Sequence, residues 1–327
     1  MQRIVWIDNL RGILILLVVL GHSIQYGLSD WEQNHVFNFI YSFHMPLFIC
    51  VSGFVSVKMK TSWKSLQKRF VQLILPFISM SIISSIHEEK NMVQAWMLNP
   101  SIGLWFLWCL FFIICIHTMV LWLSSKYSWL KEELLALFIA LLLIASMRYF
   151  TLLGYPTICK YYLFFIIGFY IHKYYPQIKP LLSKIMWPAL FVFIFLAYNF
   201  RLTSVSPLFQ CFDNALIRQL YGILAAFVAI LCIFPLSERF ATMNIPFLTR
   251  LGGAKTLGIY VFHQFIMKLW PCSYFLNYAD GNHIYVLASW VIAFSFSYFL
   301  IMVVERNRVL AFFFLGKQKV STVYGTN

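Results

Sequence analysis

The chain has 327 residues, 61% hydrophobic and only 11% charged, with a mean hydropathy of +0.77. Soluble chains carry about 25% charged residues, so a water-soluble globular fold is excluded and most of the surface must face lipid. Aromatic residues make up 19% of the chain and the formal net charge is +14; Trp and Tyr favour the membrane–water boundary.

The first apolar segment reads WIDNLRGILILLVVLGHS. It has the outline of a secretory signal, but Asp8 and Arg11 interrupt its start and no small-x-small cleavage site follows His22. A retained transmembrane helix is expected. A helix needs roughly 20 apolar residues to cross the hydrocarbon core. Breaking the chain at charges, Pro and Gly on that basis gives ten spans, at 8–28, 35–57, 70–86, 101–124, 134–150, 157–173, 185–201, 214–235, 254–271 and 283–304. The expected fold is all-α and polytopic, with a membrane domain over 1–310 and a short cytoplasmic tail over 311–327.

Charge sets the orientation. With both termini in the cytoplasm, only Lys90, Arg148, Lys160, Arg201, Arg218 and Lys268 of the 25 basic residues fall outside, as the positive-inside rule requires. Topology therefore accounts for the basic balance without a nucleic-acid partner, and the inner face is suited to an anion. The seven cysteines are scattered. They form no CxxC and no Cys/His metal spacing, so no metal is expected.

Ionisable groups inside a membrane are functional candidates because their desolvation demands compensation. Asp8 and Arg11 are three residues apart on one face of the first span and can neutralise each other. His22 lies eleven residues beyond Arg11, close to three turns and about 16 Å along the same face. Snorkelling for Arg11 and a carbonyl-bonded packing role for His22 are the plain alternatives.

The second span, FNFIYSFHMPLFICVSGF, holds His44 near mid-membrane. Pro46 kinks it there and frees a carbonyl, and irregular backbone at that depth belongs beside a cavity or within protein. Ser52 and Gly53 add a polar, close-approach point. Two histidines on neighbouring spans suggest a shared polar cavity. Histidine serves as a base near neutral pH. With an arginine lower on the same wall, the pattern suggests an anionic substrate from the cytoplasm and a second one that gives up a proton.

These residues resemble the acyltransferase-3 family of integral membrane acyltransferases. The likeness starts with the R-x10-H spacing of the first segment and continues through YSFHMPLFICVSGF, KRFVQLILPF, GLWFLWCLF, LGGAKTLGIYVFHQF and VVERNRVLAFFFLG, in the family's order. The resemblance implies transfer of an acyl group, usually acetyl, from cytoplasmic acyl-CoA to a hydroxyl of an envelope sugar, polysaccharide or lipid-linked glycan. It implies a multi-pass protein of a bacterial-type inner membrane. The family's Arg and essential His match Arg11 and His22, with His22 as base or transient acyl carrier. Of the family's Arg-x-x-Arg, Arg69 matches the first residue and Gln72 replaces the second; Lys68, Lys64 or Arg11 would compensate in holding the CoA phosphates. His263 matches the family's span-nine His and is open between site and packing. Trp105 is open between interfacial anchor and tunnel lining. Glu305 and Arg306 are expected to pair at the interface. His117 and His172 have no evident partner. The rival reading is a proton-coupled transporter of a small solute, although the kinked second span has no counterpart in the second half.

Overall fold

The computed structural model describes residues 4–58, 61–88, 104–204, 214–240, 243, 245–269 and 283–317. Regular structure among them is entirely helical. The helices are α1 (Val5–Gly27), α2 (His35–Tyr41), α3 (His44–Ser56), α4 (Trp63–Glu88), α5 (Trp105–Lys126), α6 (Glu132–Ser146) and α7 (Tyr155–Lys173). They continue with α8 (Tyr175–Tyr198), α9 (Ala215–Arg239), α10 (Pro246–Arg250), a π-helical turn (Leu251–Lys255), α11 (Thr256–Leu269), α12 (His283–Arg306) and α13 (Arg308–Leu315).

Every expected span coincides with a helix. Taking α2 and α3 as one segment, 8 segments are long and apolar enough to cross a membrane. The other two are shorter: α6 has 15 residues, about 22 Å, and α11 has 14. α11 extends a helical run that begins at Pro246 and passes through the π turn. The ends of the expected 101–124 and 254–271 spans lie partly outside the described residues. Lys64, Lys68 and Arg69, expected in a loop, lie on α4, which starts seven residues before the expected span. Ser62 Oγ accepts the Ser65 amide at 3.3 Å, and Lys, Leu, Gln and Arg are good helix formers. Hydropathy marked only the lipid-soluble part of that helix.

The chain divides into two compact units, Met1–Val55 with Ile167–Ser297 and Ser56–Ile166 with Tyr298–Asn327. In the first, α1 is the hub. It buries Ile7, Leu10, Leu14, Ile15, Val18 and Val19 and packs on α2, α9, α10, the π turn and α11. Two glycines permit this approach. A Cβ on Gly12 would stand 2.5 Å from the Leu248 carbonyl oxygen, and one on Gly252 would collide with the Asp8 carbonyl. Small residues allow such backbone contact in membrane helices. Trp6 anchors the same end, with its ring centroid 5.1 Å from Phe234 and 5.6 Å from Phe54. The Phe54 carbonyl accepts from His172 Nδ1 at 2.6 Å, which gives that histidine a structural partner.

In the second unit, α4 packs on α5 and α13, and α5 on α6. Gly316 caps α13 with φ +60°, a left-handed conformation that suits glycine. A Cβ there would stand 2.5 Å from the Cα of Gln72. Helix α13 runs across residue 310 and buries Ala311 and Leu315. Glu305 accepts from Lys317 at 2.7 Å. His117 is fully buried, with Nδ1 3.3 Å from the Tyr162 hydroxyl.

Candidate active site

The first unit gathers three of the expected histidines near the C-terminal end of α1. His22 is carried by α1, three residues before Gln25, so both project from one face. After α1 the chain turns through Trp31–Gln33. Asn34 then caps α2, its side chain accepting the Phe37 amide at 3.0 Å. Asn38 Nδ2 donates back to the Glu32 carbonyl at 2.8 Å. These bonds aim α2 so that Tyr41, its last residue, reaches His22. Gly21 makes room for it: a Cβ at that position would stand 2.8 Å from the Tyr41 ring.

The expected kink at Pro46 is a full break. α2 ends at Tyr41, and His44 opens α3 with Pro46 in its first turn. Proline is tolerated there because a first-turn amide has no intrahelical acceptor. Ser42 Oγ caps the break by donating to the Phe39 carbonyl at 2.7 Å. His44 Nδ1 takes the Ile40 carbonyl at 2.7 Å. Tyr41 stands between the two histidines, with ring centroids 6.2 Å from His22 and 4.7 Å from His44.

α11 supplies the remaining wall. Gln264 places Nε2 2.9 Å from His22 Nε2. The fully buried ring of His263 lies 5.3 Å from that of His22. His263 Nδ1 is 2.9 Å from the Ile259 carbonyl. Its Nε2 is buried with no hydrogen-bond partner among the described residues.

The partners assign the protons. Carbonyl oxygens only accept, so His44 and His263 carry their protons on Nδ1. For His22, Gln25 Oε1 lies 3.1 Å from Nδ1 and also accepts from the Tyr41 hydroxyl at 3.1 Å. The Gln264 amide donates to Nε2. One arrangement satisfies every group: Nδ1–H donates to Gln25, and Nε2 offers its lone pair. A second proton on Nε2 would face the Gln264 amide hydrogens. His22 is therefore a neutral ring with an oriented basic nitrogen, and it is only partly buried.

The other expected residues lie elsewhere. Arg11 and Asp8 occupy the opposite end of α1, 3.8 Å apart, beside the packed π turn. Ser52 on α3 donates to the Phe48 carbonyl at 2.9 Å. Arg69 and Lys68 belong to the second unit. There Arg69 donates to Gln72 Oε1 at 3.2 Å, and Lys68 is exposed. Trp105 opens α5 in that unit, its ring 5.1 Å from Tyr161. Gln25, Tyr41 and Gln264 were not singled out in the sequence. The i,i+3 spacing of Gln25 from His22 and the adjacency of Gln264 to His263 were available signals. Tyr41 left none, because its approach depends on the break in the second span.

A polytopic helical membrane protein with a histidine cluster near the end of its first helix is the class that fold and site define. Residues 4–306 match the acyltransferase domain family, and the chain belongs to it. Among curated proteins it is similar to the nodulation protein NolL of Mesorhizobium japonicum, at 38% identity over 78 residues, covering 22% of this chain and 21% of that one. It is also similar to the nodulation protein NolL of Sinorhizobium fredii, at 40% identity over 85 residues, covering 24% of this chain and 23% of that one. The chain thus spans about a fifth of the length of the curated relatives it matches. No solved structure matches it.

Proposed function

We propose that the protein is a membrane O-acyltransferase that moves an acyl group, acetyl in the simplest case, from cytoplasmic acyl-CoA to a hydroxyl of an envelope sugar, polysaccharide or lipid-linked glycan. The observation that carries this reading is the His22 network, because it holds a neutral imidazole with one lone pair directed at the Gln264 amide. His22 Nε2 takes the proton of the acceptor hydroxyl as its oxygen attacks the thioester carbonyl. The carbon–sulfur bond then breaks, and the CoA thiolate takes the proton from the imidazolium. Direct transfer needs only this one base. His44 packs on Tyr41, and His263 lies beside His22 on α11.

The basic start of α4, with Lys68 and Arg69, is proposed to receive the anionic donor. Guanidinium and ammonium groups suit phosphates. Gln72, in place of the family's second arginine, accepts from Arg69 and orients it. The charge distribution supports cytoplasmic termini and a bacterial-type inner membrane setting, where such a donor and acceptor meet.

The test compares His22→Ala and His22→Gln, each confirmed as folded by size-exclusion chromatography, for acetyl transfer from acetyl-CoA to isolated bacterial glycan. A general base is worth about 10²–10⁴-fold, so both variants should lose activity on that scale. Substantial turnover in folded His22→Gln overturns the assignment, because glutamine keeps the hydrogen bonding and cannot take the proton.

A further inference from the structure

Gln264 occupies the position that the reaction needs empty. Its Nε2 is 2.9 Å from His22 Nε2 and 3.5 Å from Nδ1. Only the shorter contact is a good hydrogen bond. It covers the lone pair that, on the acyl-transfer reading, receives the acceptor's proton. An acceptor hydroxyl must stand at the same distance from the same atom. The two cannot be there together.

The backbone carrying Gln264 is poorly placed to move away. α11 is joined through the π turn to α10, and that run lies backbone-to-backbone on α1 at Gly12 and Gly252. The turn is closed internally, with Thr256 Oγ1 donating to the carbonyls of Leu251 at 2.8 Å and Gly252 at 3.0 Å. Asn9 fastens the same region, donating to the Met243 carbonyl at 3.0 Å and accepting from Thr249 Oγ1 at 2.6 Å. His22 is held on its other side by Gln25 and Tyr41. The soft coordinate between α1 and α11 is the side chain of Gln264, an unbranched chain of staggered torsions.

We infer that Gln264 is a displaceable cap on the acceptor seat: its amide holds the His22 lone pair and keeps water from it until an acceptor hydroxyl replaces it. This rests on the acyl-transfer reading above. The cap matters because His22 is only partly buried and water is also a hydroxyl. Water deprotonated by His22 would attack the thioester carbonyl, the carbon–sulfur bond would break, and the products would be a free carboxylic acid and CoA thiol. Excluding water from such a site suppresses this side reaction. Gln264 is then a positioning residue acting through His22, and it makes the enzyme choose an alcohol that can displace an amide over bulk water.

The experiment uses the full chain purified in detergent, with acetyl-CoA as the probe and no acceptor, and follows release of CoA thiol. Acetyl-CoA binding is measured separately by the thermal shift it produces. An ordinary neutral hydrogen bond corresponds to roughly a fivefold change in occupancy, so Gln264→Ala should raise acceptor-independent release by about fivefold or more. Gln264→Ala combined with His22→Ala should return it to baseline, which a merely loosened structure would not do. Gln264→Asn, which draws the amide back by one methylene, should show a smaller rise and serves as the test if the alanine variant does not fold. Unchanged release in a folded variant that still binds acetyl-CoA overturns the cap and leaves the acyl-transfer reading standing. A rise that survives loss of His22 also overturns it. Absence of acetyl-CoA binding to the wild-type protein overturns the acyl-transfer reading itself, and the cap with it.

Discussion

Replacing Gln25 by methionine keeps the length of the side chain and removes the oxygen that accepts from both His22 and Tyr41. The structure sets the size of the effect. Losing the partner of a fully buried donor costs about 1–3 kcal/mol, which at tenfold per 1.4 kcal/mol is about five- to 150-fold in rate and bounds the effect on the partly buried His22 from above. The Tyr41 hydroxyl already lies 3.3 Å from His22 Nδ1 and can accept that proton in place of Gln25. The single variant should therefore fall near the lower end, about tenfold in kcat, with the KM for acetyl-CoA unchanged because no donor contact is touched. Gln25→Met with Tyr41→Phe removes both acceptors and should fall about 100-fold, more than the two single losses combined. Gln25→Glu retains an oxygen that accepts both bonds and should stay within about threefold of wild type. Steady-state kinetics on variants of matched melting temperature provide the measurement. A folded Gln25→Met with wild-type kcat, or a Gln25→Glu as impaired as the methionine variant, refutes the idea that Nδ1 must be held by an acceptor.

Arg69→Ala should raise the apparent KM for acetyl-CoA several-fold at near-normal kcat and abundance, since a cation facing phosphate acts through binding; an unchanged KM moves the donor site elsewhere. A C-terminal reporter active only outside the cytoplasm should stay silent, and a bright one reverses the proposed orientation. Gly252→Ala should lower stability by roughly 1–3 kcal/mol, because its Cβ collides with the Asp8 carbonyl; a melting temperature equal to wild type in detergent would show that α1 and the π turn yield without cost.

Among the described residues, apolar runs of membrane length and the breaks between them were enough to place a helix at each expected span, because lipid imposes one rule on each such segment, but they gave no sign of the short α10 and α13. The polar outliers were legible for the same reason: His22, His44 and His263 were conspicuous against hydrocarbon, and they meet in one place. Helix ends were less legible where charged residues continue a helix into the interface, as Lys64 and Lys68 do on α4. Tyr41, Gln25 and Gln264 stayed hidden because each is unexceptional in its own segment. What selects them is the approach of α2 and α11 to α1, which depends on the break after Tyr41 and on Gly12, Gly21 and Gly252.

That dependence explains why the proposed base, His22, sits where it does. A lone pair in hydrocarbon is useful only if its ring cannot turn, and a single helix cannot hold both sides of an imidazole. Gln25 comes from the same helix as His22 and fixes Nδ1 through local spacing alone. The other nitrogen faces α11, whose distance from α1 is set by glycine contacts far from the site. Orientation is thus local and access is tertiary. Changes near Gln25 should alter the chemistry, whereas changes at the glycine contacts should alter what can reach it.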